Sequence, residues 1–416
     1  MIGTRIRRIT GVRLSGGAVC DLRLDDDRVT DVRLADPAID ASHSPDHLHL
    51  SGWLLLPAAV EPHAHVDKAF SWREGSYGDL GAAIESWHRY SETMTAADIY
   101  ARARRAFQSY LAHGITAVRT HVDLLTGDEP LRGVTEVLRL RDELRDVMDI
   151  QVALLTSSHN PDAHLVDAVR LGVDVLGGCP HLTPDPAAET VRLLDLAERF
   201  GLPVDLHTDE QLGADVLSIR SLVGEVGRRG LGGRVAASHC VSLGSQPAHR
   251  LVELVADIRR VELGIISLPI TNLYLQGRAD PVRTPRGITA LRALLAAGVT
   301  VAAGGDNVRD PFNPMGRADP FETTSLLITA GHLDAAEALH AVTGGARQIL
   351  GLPPAGPGVG QRADLMAVPA ATLADALAGP GDGRIVLYGG RLVSRTTVHS
   401  EHAMDSLVPA TGGRLR

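Results

Sequence analysis

The sequence has few cysteines and no long apolar run, and both shortages exclude whole classes of protein. Its three cysteines, Cys20, Cys179 and Cys240, stand far apart in 416 residues, so neither a disulfide framework nor a Cys-x-x-Cys zinc site is expected. No apolar stretch approaches the roughly 20 residues that cross a bilayer, and the first residues lack the apolar segment of a secretory signal. These absences predict a soluble protein of the reducing cytoplasm.

Lysine is scarcer still, because Lys68 is the only lysine and arginine supplies the other basic side chains. The net charge of -9 comes from interspersed acidic and basic residues, which form no basic stripe for a nucleic acid. Hydrophobic residues make up 44% and charged residues 22% of the chain, the ordinary mixture of a globular protein with a large core. Neither a nucleic acid nor a membrane is therefore expected as a partner.

Two kinds of hydrophobic pattern divide the chain. Apolar and polar residues alternate from Ile6 to Leu34, and again in Ala363–Val368 and Arg384–Val393, which is typical of short β-strands. These segments predict a small β-sandwich domain built from both termini, residues 1–57 and 353–416.

Residues 58–352 show a different, repeated pattern. A short apolar run is followed by a loop and then by a helix-like stretch with apolar residues at 3.6 spacing, and eight such units predict a (β/α)8 TIM barrel. The eight runs are Trp53–Val60, Ile115–Thr120, Ile150–Leu155, Val173–Gly177, Pro203–Leu206, Arg234–Ala237, Gly264–Pro269 and Val299–Ala303.

Metal-type ligands follow four of these runs. His63 and His65 come after the first run, His207 after the fifth, His239 after the sixth and Asp306 after the eighth. Residues two apart on an extended segment point to the same side, so His63 and His65 can bind one cation. Because loops after the strands meet at one end of a barrel, the pattern predicts a shared metal site.

These segments resemble the amidohydrolase superfamily, and within it the cytosine-deaminase-like group. The resemblance covers nearly the whole chain. The matching segments are Glu61-Pro-His63-Ala-His65, Gly114-Ile-Thr-Ala-Val-Arg119-Thr-His121-Val-Asp123, Asp205-Leu-His207-Thr-Asp209-Glu210, Ala237-Ser-His239, Leu275-Gln-Gly-Arg278 and Gly305-Asp306-Asn-Val-Arg-Asp310-Pro.

The resemblance implies that His63, His65, His207 and Asp306 bind one divalent metal per chain, zinc or iron. A metal lowers the pKa of bound water to about 7 and so makes a hydroxide nucleophile at neutral pH. In the mechanism implied, His239 and Asp306 hold and deprotonate the water, and Glu210 passes a proton to the substrate ring. Dinuclear relatives use a lysine from a middle strand, and this chain has none there.

Further residues are expected to support the site or to contact the substrate. His121, Asp123 and Asp209 are expected to contact and orient the ligand side chains without binding the metal themselves. His181 either lines the cavity or caps a turn. The residues expected to bind the substrate are Lys68, Ser157, Gln276, Arg278, Asn307 and Phe312.

The chain departs from the cytosine-deaminase pattern at two positions. Ser157 stands where those enzymes carry a glutamine that reads the pyrimidine's amide edge, and a lost buried hydrogen bond costs about 1–3 kcal/mol, so cytosine should be a poor substrate. Asn307 replaces a second aspartate and makes the site less anionic. Lys68 either binds an anionic or acceptor-rich group of the substrate or pairs with a nearby carboxylate.

The leading hypothesis is hydrolytic deamination of an amino-substituted nitrogen heterocycle, such as a pyrimidine, triazine or pterin-like ring. The first alternative is hydrolysis of an N-alkylamino or amide C–N bond by the same site. A second alternative is a non-catalytic metal-binding protein, which the pair of His207 and Glu210 argues against. The resemblance also implies a homo-oligomer.

Overall fold

The computed structural model describes residues 2–36, 44–73, 77–213, 215, 217–379, 383–399 and 401. Strands of this part of the chain form two eight-stranded sheets. One sheet is parallel and lies in the middle of the sequence, and the other combines strands from both ends. The structure therefore confirms the expected pairing of a (β/α)8 barrel with a β-sandwich built from the termini.

The parallel sheet is the barrel, and its strands are adjacent in chain order. They alternate with helices, so each strand leads into a helix that returns the chain to the other end of the sheet. The barrel strands are β6 (Ala59–Ala64), β7 (Ile115–Asp123), β8 (Asp149–Thr156), β9 (Val175–Gly178), β10 (Val204–Thr208), β11 (Val235–His239), β12 (Gly264–Ser267) and β13 (Val301–Ala303).

Helices follow every barrel strand and cover the sheet with apolar faces. Several begin at capping side chains, for example Thr95, which accepts a hydrogen bond from the backbone N–H of Asp98. The helices are α1 (Leu80–Ser91), α2 (Ala96–Ala112), α3 (Arg132–Leu144), α4 (Asp162–Leu171), α5 (Pro186–Phe200), α6 (Ser218–Arg229), α7 (Ala248–Arg260), α8 (Pro269–Leu275), α9 (Leu291–Ala296), α10 (Pro320–Thr329), α11 (Ala335–Ala341) and α12 (Gly344–Ile349).

The barrel closes where its last strand meets its first. Beyond β13, Asp306 forms a parallel bridge with Ala64 at the end of β6. The backbone N–H of Gly305 donates to Glu61 Oε2 at 2.8 Å. Closure therefore brings Asp306, which follows β13, beside His63 and His65.

The second sheet surrounds a smaller apolar core that includes Ile9, Leu22 and Leu55. Its strands run in the order β16-β15-β14-β5-β1-β2-β3, with β4 beside β1. The strands are β1 (Arg8–Leu14), β2 (Val19–Asp25), β3 (Arg28–Leu34), β4 (His47–His49), β5 (Leu54–Pro57), β14 (Leu365–Val368), β15 (Arg384–Tyr388) and β16 (Arg391–Thr396). A short helix, α13 (Leu373–Ala378), lies between β14 and β15.

The first predicted barrel run needs a correction. Residues 53–60 include β5 of the terminal sheet and only the beginning of β6, because the chain passes from one sheet to the other at Ala58. The first barrel strand extends to Ala64, so His63 lies within it. The domain boundaries at 57/58 and 352/353 stay a prediction, and residues 1, 37–43, 380–382, 400 and 402–416 of the small domain lie outside the described residues.

Among the described residues, no helix combines the length and the apolar character that a membrane span requires.

Candidate active site

Four predicted ligand residues meet at the carboxyl end of the barrel strands. His207 Nε2 lies 3.1 Å from His63 Nε2 and 3.2 Å from His65 Nε2. Asp306 Oδ1 lies 3.3 Å from His65 Nε2 and 3.8 Å from His63 Nε2. All four side chains are buried. Strands β6 and β10 and the segment after β13 thus direct three imidazoles and one carboxylate to a single point.

The spacing of these atoms fits a divalent cation. In a tetrahedral zinc site with bonds of about 2.0–2.1 Å, neighbouring ligand atoms are roughly 3.3 Å apart. The four distances between ligand atoms, from 3.1 to 3.8 Å, bracket that value. Asp306 Oδ1 is buried and has no hydrogen-bond donor. A buried carboxylate oxygen without a donor needs a positive partner, which a metal would supply.

Burial keeps the histidines in the form that binds metals. It lowers the pKa of His65 and of His207 well below the usual range, and neighbouring charged groups lower both further. It lowers the pKa of His239 to about 3 and that of His121 to about 4. The rings are therefore neutral near pH 7, with lone pairs available for coordination.

A buried carboxylate that sequence reasoning left out of the site, Asp205, organises the base of the cluster. Its Oδ1 accepts from the Ser238 hydroxyl at 2.6 Å and lies 3.8 Å from His63 Nδ1. Its Oδ2 accepts from Arg119 at 3.1 Å and lies 3.5 Å from His121 Nε2. Burial raises its pKa, but His121, His63 and Arg119 outweigh that effect and leave the pKa well below the usual range. The sequence held one signal for Asp205. It precedes His207 by two residues on one strand, so both side chains point to the same side.

Glu61 was also missed, and it connects the first and last strands of the barrel. It accepts hydrogen bonds from the backbone N–H groups of Gly305 at 2.8 Å and His63 at 3.3 Å. Burial raises its pKa to about 8. A side chain added at Gly304 would place its Cβ 1.9 Å from Glu61 Oε1. The pair Gly304-Gly305 therefore makes room for Glu61, which is a physical reason for its position before Asp306.

Glu210 and His239 lie together beside the ligand cluster. Glu210 Oε1 is 3.6 Å from His239 Nδ1, and Asn272 Nδ2 is 3.1 Å from the same nitrogen. Burial, followed by the charge of Asp306, raises the pKa of Glu210 to about 8, although Lys68 lowers it. The carboxyl group is therefore protonated near neutral pH and can donate a proton.

His181 lies against Glu210, although it is not among the described residues that line the cavity. Its Nδ1 is 3.0 Å from the carbonyl of His207, and a carbonyl can only accept, so Nδ1 carries the proton. The buried Nε2, which has no other partner, is 4.0 Å from Glu210 Oε2. The ring therefore presents an acceptor to the carboxyl group.

Lys68 pairs with a carboxylate, which was one of the two interpretations of this residue. Its Nζ donates to Asp123 Oδ1 at 2.7 Å and lies 3.1 Å from His65 Nδ1. Trp87 Nε1 donates to the other oxygen of Asp123 at 2.5 Å. Burial lowers the pKa of Lys68, but Asp123 and Asp67 raise it by more, so the ammonium persists. Asp123 thus holds Lys68 against His65, one of the predicted ligands.

The cluster opens into a cavity of about 640 Å³. Lys68, Ser157, Asn307 and Phe312, four of the six residues predicted to bind the substrate, line this cavity, and their role stays a prediction. The structure does not bring Gln276 and Arg278 into the lining. Both residues follow α8, where the chain directs their side chains away from the cavity.

The contacts of these two residues and of Asp209 explain their positions. Gln276 donates to the backbone carbonyl of Glu210 at 2.6 Å and so fixes the backbone at Glu210 from outside the cavity. Arg278 is exposed and lies over the Tyr274 ring. Asp209 accepts from the backbone N–H groups of Ser218 and Ile219 at the beginning of α6, and it therefore anchors the loop that carries Glu210.

Comparisons with known proteins agree with this geometry. Residues 85–393 match the model of the amidohydrolase family. A pterin deaminase from Rhizobium rhizogenes is 33% identical over 357 residues, which are 82% of this chain and 81% of that protein. An N-isopropylammelide isopropyl amidohydrolase from a Pseudomonas species is 24% identical over 374 residues, covering 85% of this chain and 89% of that protein.

Two solved structures share the fold over nearly their whole length. The 5-methylcytosine deaminase from Klebsiella pneumoniae liganded with phosphonocytosine superposes with a TM-score of 0.86 at 26% identity, over 95% of this chain and 100% of that one. The N-isopropylammelide isopropylaminohydrolase from Burkholderia multivorans superposes with a TM-score of 0.80 at 30% identity, over 94% of this chain and 98% of that one.

Proposed function

The chain belongs to the amidohydrolase family, a family of metal-dependent hydrolases, and from this premise we propose that it removes an amino group hydrolytically from a nitrogen heterocycle. It is a hydrolase of carbon–nitrogen bonds other than peptide bonds. The observation that carries the proposal is Glu210, a buried and protonated carboxyl group 3.6 Å from His239 in the cavity that holds the ligand cluster. Deamination requires such a proton donor beside the reacting carbon.

We assign the metal site to His63, His65, His207 and Asp306, with one divalent ion per chain, zinc or iron. Such an ion, when bound, activates water for attack on carbon. The convergence of three imidazoles and a carboxylate oxygen without a hydrogen-bond donor supports this assignment. Sequence and spacing support either metal equally.

The chain's own residues carry the protons. Glu210 donates a proton to the ring nitrogen next to the amino-bearing carbon, so that this carbon accepts the oxygen of water. His239 and Asp306 face the same space and accept the proton that the water loses. That proton then passes from His239 and Asp306 to the amino nitrogen, and the carbon–nitrogen bond breaks so that the amino group leaves as ammonia. The added hydroxyl group gives its proton to Glu210, which restores the carboxyl group, and the ring keeps a carbonyl oxygen.

A fused 2-amino-4-oxo ring of the pterin type is the first substrate to test. The relative that is 33% identical to the chain is a pterin deaminase, and the cavity of about 640 Å³ is larger than a single six-membered ring requires. Cytosine is expected to react poorly, because the Ser157 hydroxyl is short and contacts Asn160 Oδ1 at 3.2 Å.

Hydrolysis of an N-alkylamino group is the second candidate. Relatives named for N-isopropylammelide are 24% and 30% identical to this chain, and the second of them superposes with a TM-score of 0.80. The same cavity would release an alkylamine instead of ammonia. The products therefore separate the two candidates.

The deciding experiment measures ammonia release by the purified, metal-loaded protein from aminopterins, aminopyrimidines and aminotriazines, with metal content determined on the same sample. We expect ammonia from a fused 2-amino-4-oxo ring at about one divalent ion per chain. In Glu210→Gln, kcat should fall about 10²–10⁴-fold while the metal content stays the same. Ammonia from no ring, together with an alkylamine from N-alkyl triazines, would replace the first candidate by the second.

A protein that only binds metal would release neither product, and Glu210→Gln would then change no measured activity. The buried and protonated state of Glu210 favours an enzyme over that possibility. The cytoplasmic location and the homo-oligomer stay predictions.

A further inference from the structure

The outer half of the cavity, away from the ligand cluster, carries the partly exposed apolar side chains of Leu80, Ile84 and Leu182, and we infer that the substrate carries an apolar substituent that these three hold. This inference rests on the proposed function, since it concerns the substrate of the same site. It adds a chemical class to that substrate: a heterocycle joined to an aryl or alkyl group.

Helix α1 forms one wall of this outer half. Leu80, Ile84, Trp87, His88 and Ser91 all line the cavity, and their spacing of three or four residues places them along one face of the helix. Since a helix rises 1.5 Å per residue, this face runs for roughly 16 Å from Leu80 to Ser91. A ligand that fills the cavity therefore contacts α1 over several turns.

The inner end of this face is at Trp87. Its Nε1 donates to Asp123, which is paired with Lys68 beside the ligand His65. Trp87 is only 3% exposed. Leu80 lies roughly 10 Å further along the axis, and both Leu80 and Ile84 are half-buried. The helix thus leads from the reacting end of the cavity out to its mouth.

Leu182 stands at the same mouth, on the short helical turn after β9. It lines the cavity, yet 52% of its surface is exposed. Apolar side chains at the edge of a functional cavity gain free energy when a ligand covers them, in proportion to the apolar area removed from water. An apolar group of the substrate would therefore cover Leu80, Ile84 and Leu182 and remove their exposed surface from water.

Charge argues against an anionic substituent in this place. The carboxylates and the lysine that line the cavity all lie near the ligand cluster: Lys68 is 3.1 Å from His65, Asp306 is 3.3 Å from His65, and Glu210 is 3.6 Å from His239. Asp123 and Lys68 neutralise each other at 2.7 Å. Among the described residues the lining includes no arginine, and its histidines away from the ligand cluster, His88 and His159, are exposed to water. An anionic group at the mouth would therefore lose water without gaining a buried cationic partner.

The test uses two pairs of ligands that differ only in an apolar group. The first pair is 2-amino-4-oxopteridine and its 6-phenyl derivative, compared by kcat/KM for ammonia release. The second pair is 1-methylimidazole and 1-benzylimidazole, compared by calorimetric binding to the metal-loaded protein. The second pair needs no deamination, so it tests the outer surface even where the proposed function fails.

We expect the phenyl and benzyl compounds to be favoured at least tenfold over their partners. In the double variant Ile84→Ala, Leu182→Ala this ratio should fall to about two or less. The matched control is Leu171→Ala, a leucine that is 47% exposed at the end of α4 and does not line the cavity, and it should keep the wild-type ratio.

The outcomes separate the two proposals. A preference in the imidazole pair that the double variant abolishes supports the apolar surface, even where no pteridine is deaminated. Equal values within both pairs, or a preference that the double variant leaves unchanged, would overturn the inference while leaving the deaminase proposal intact.

Discussion

Burial and charged neighbours shift the pKa values of several side chains in this chain. Glu210 and Asp310 are acidic residues with raised pKa values, about 8 and about 7, and burial is the main cause in both. Lys68 keeps its charge in a buried place because Asp123 and Asp67 surround it. Fully solvated residues of the same types without charged partners have ordinary pKa values.

Asp310 provides a pH test of this effect. The folded protein holds its proton up to about pH 7, whereas an ordinary aspartate loses it near 3.8. Its contribution to stability is therefore present below the unfolded pKa and is lost as the pH rises through the folded one. Between pH 5.5 and 8, wild type should lose about 2 kcal/mol more of its free energy of unfolding than Asp310→Asn does.

Urea denaturation at the two pH values measures that difference. The control is Asp257→Asn, because Asp257 is half-exposed on α7 and pairs with Arg260 at the surface. The Asp257→Asn protein should lose as much of its free energy of unfolding between the two pH values as wild type does. An Asp310→Asn protein with the pH dependence of wild type would show that this carboxyl is not the titrating group.

At the scale of elements, the site depends on how the strands end. The segment after β13 approaches β6 so closely that glycine is required at position 304, where a Cβ would lie 1.9 Å from Glu61 Oε1 and 3.0 Å from Pro62 Cδ. His239 and Asp306 both adopt positive φ angles at their strand ends. Backbone of this kind is costly and is typical of functional sites.

Gly304→Ala tests the contact between the first and last strands. The added methyl group must displace Glu61, so we expect a loss of about 1–3 kcal/mol in the free energy of unfolding, together with weaker metal retention. Gly224→Ala is the matched control, because Gly224 lies in α6 with open space around it. That variant should gain about 0.5–1 kcal/mol. A Gly304→Ala protein as stable as wild type would contradict the close contact.

At the scale of the whole molecule, side chains join the barrel to the terminal sheet. Arg384 of β15 is 2% exposed, and it donates to both carboxylate oxygens of Asp319, at 3.0 and 2.8 Å, at the beginning of α10. It also donates to the carbonyl of His113 after α2. Tyr388 of the same strand donates to Asp149 of β8 at 2.7 Å. The terminal sheet is thus attached by buried polar contacts.

Arg384→Met should break the attachment. Removing one partner of a buried ion pair leaves the other charge unpaired, which costs about 3–5 kcal/mol. Thermal and urea unfolding should both show this loss. Arg395→Met changes an exposed arginine of β16 in the same sheet and should shift stability by no more than about 0.5 kcal/mol. Equal stability of the two variants would show that the Arg384 contact does not hold the sheets together.

Sequence alone determined the features that repeat locally. Apolar runs with helical segments between them predicted the barrel, and histidines two apart or directly after a run predicted which residues meet at its mouth. These signals survive because a strand's direction and its alternation of side chains depend only on neighbours along the chain.

Only the tertiary structure determined the contacts between residues that are far apart in the sequence. Glu61 and Asp205 entered the site because β6 closes on the segment after β13 and because Arg119 and Ser238 surround a buried carboxylate. Lys68 was paired with Asp123, which lies 55 residues away, and Arg278 was turned to the surface. Desolvation and charge pairing act through space, so no local pattern contains them.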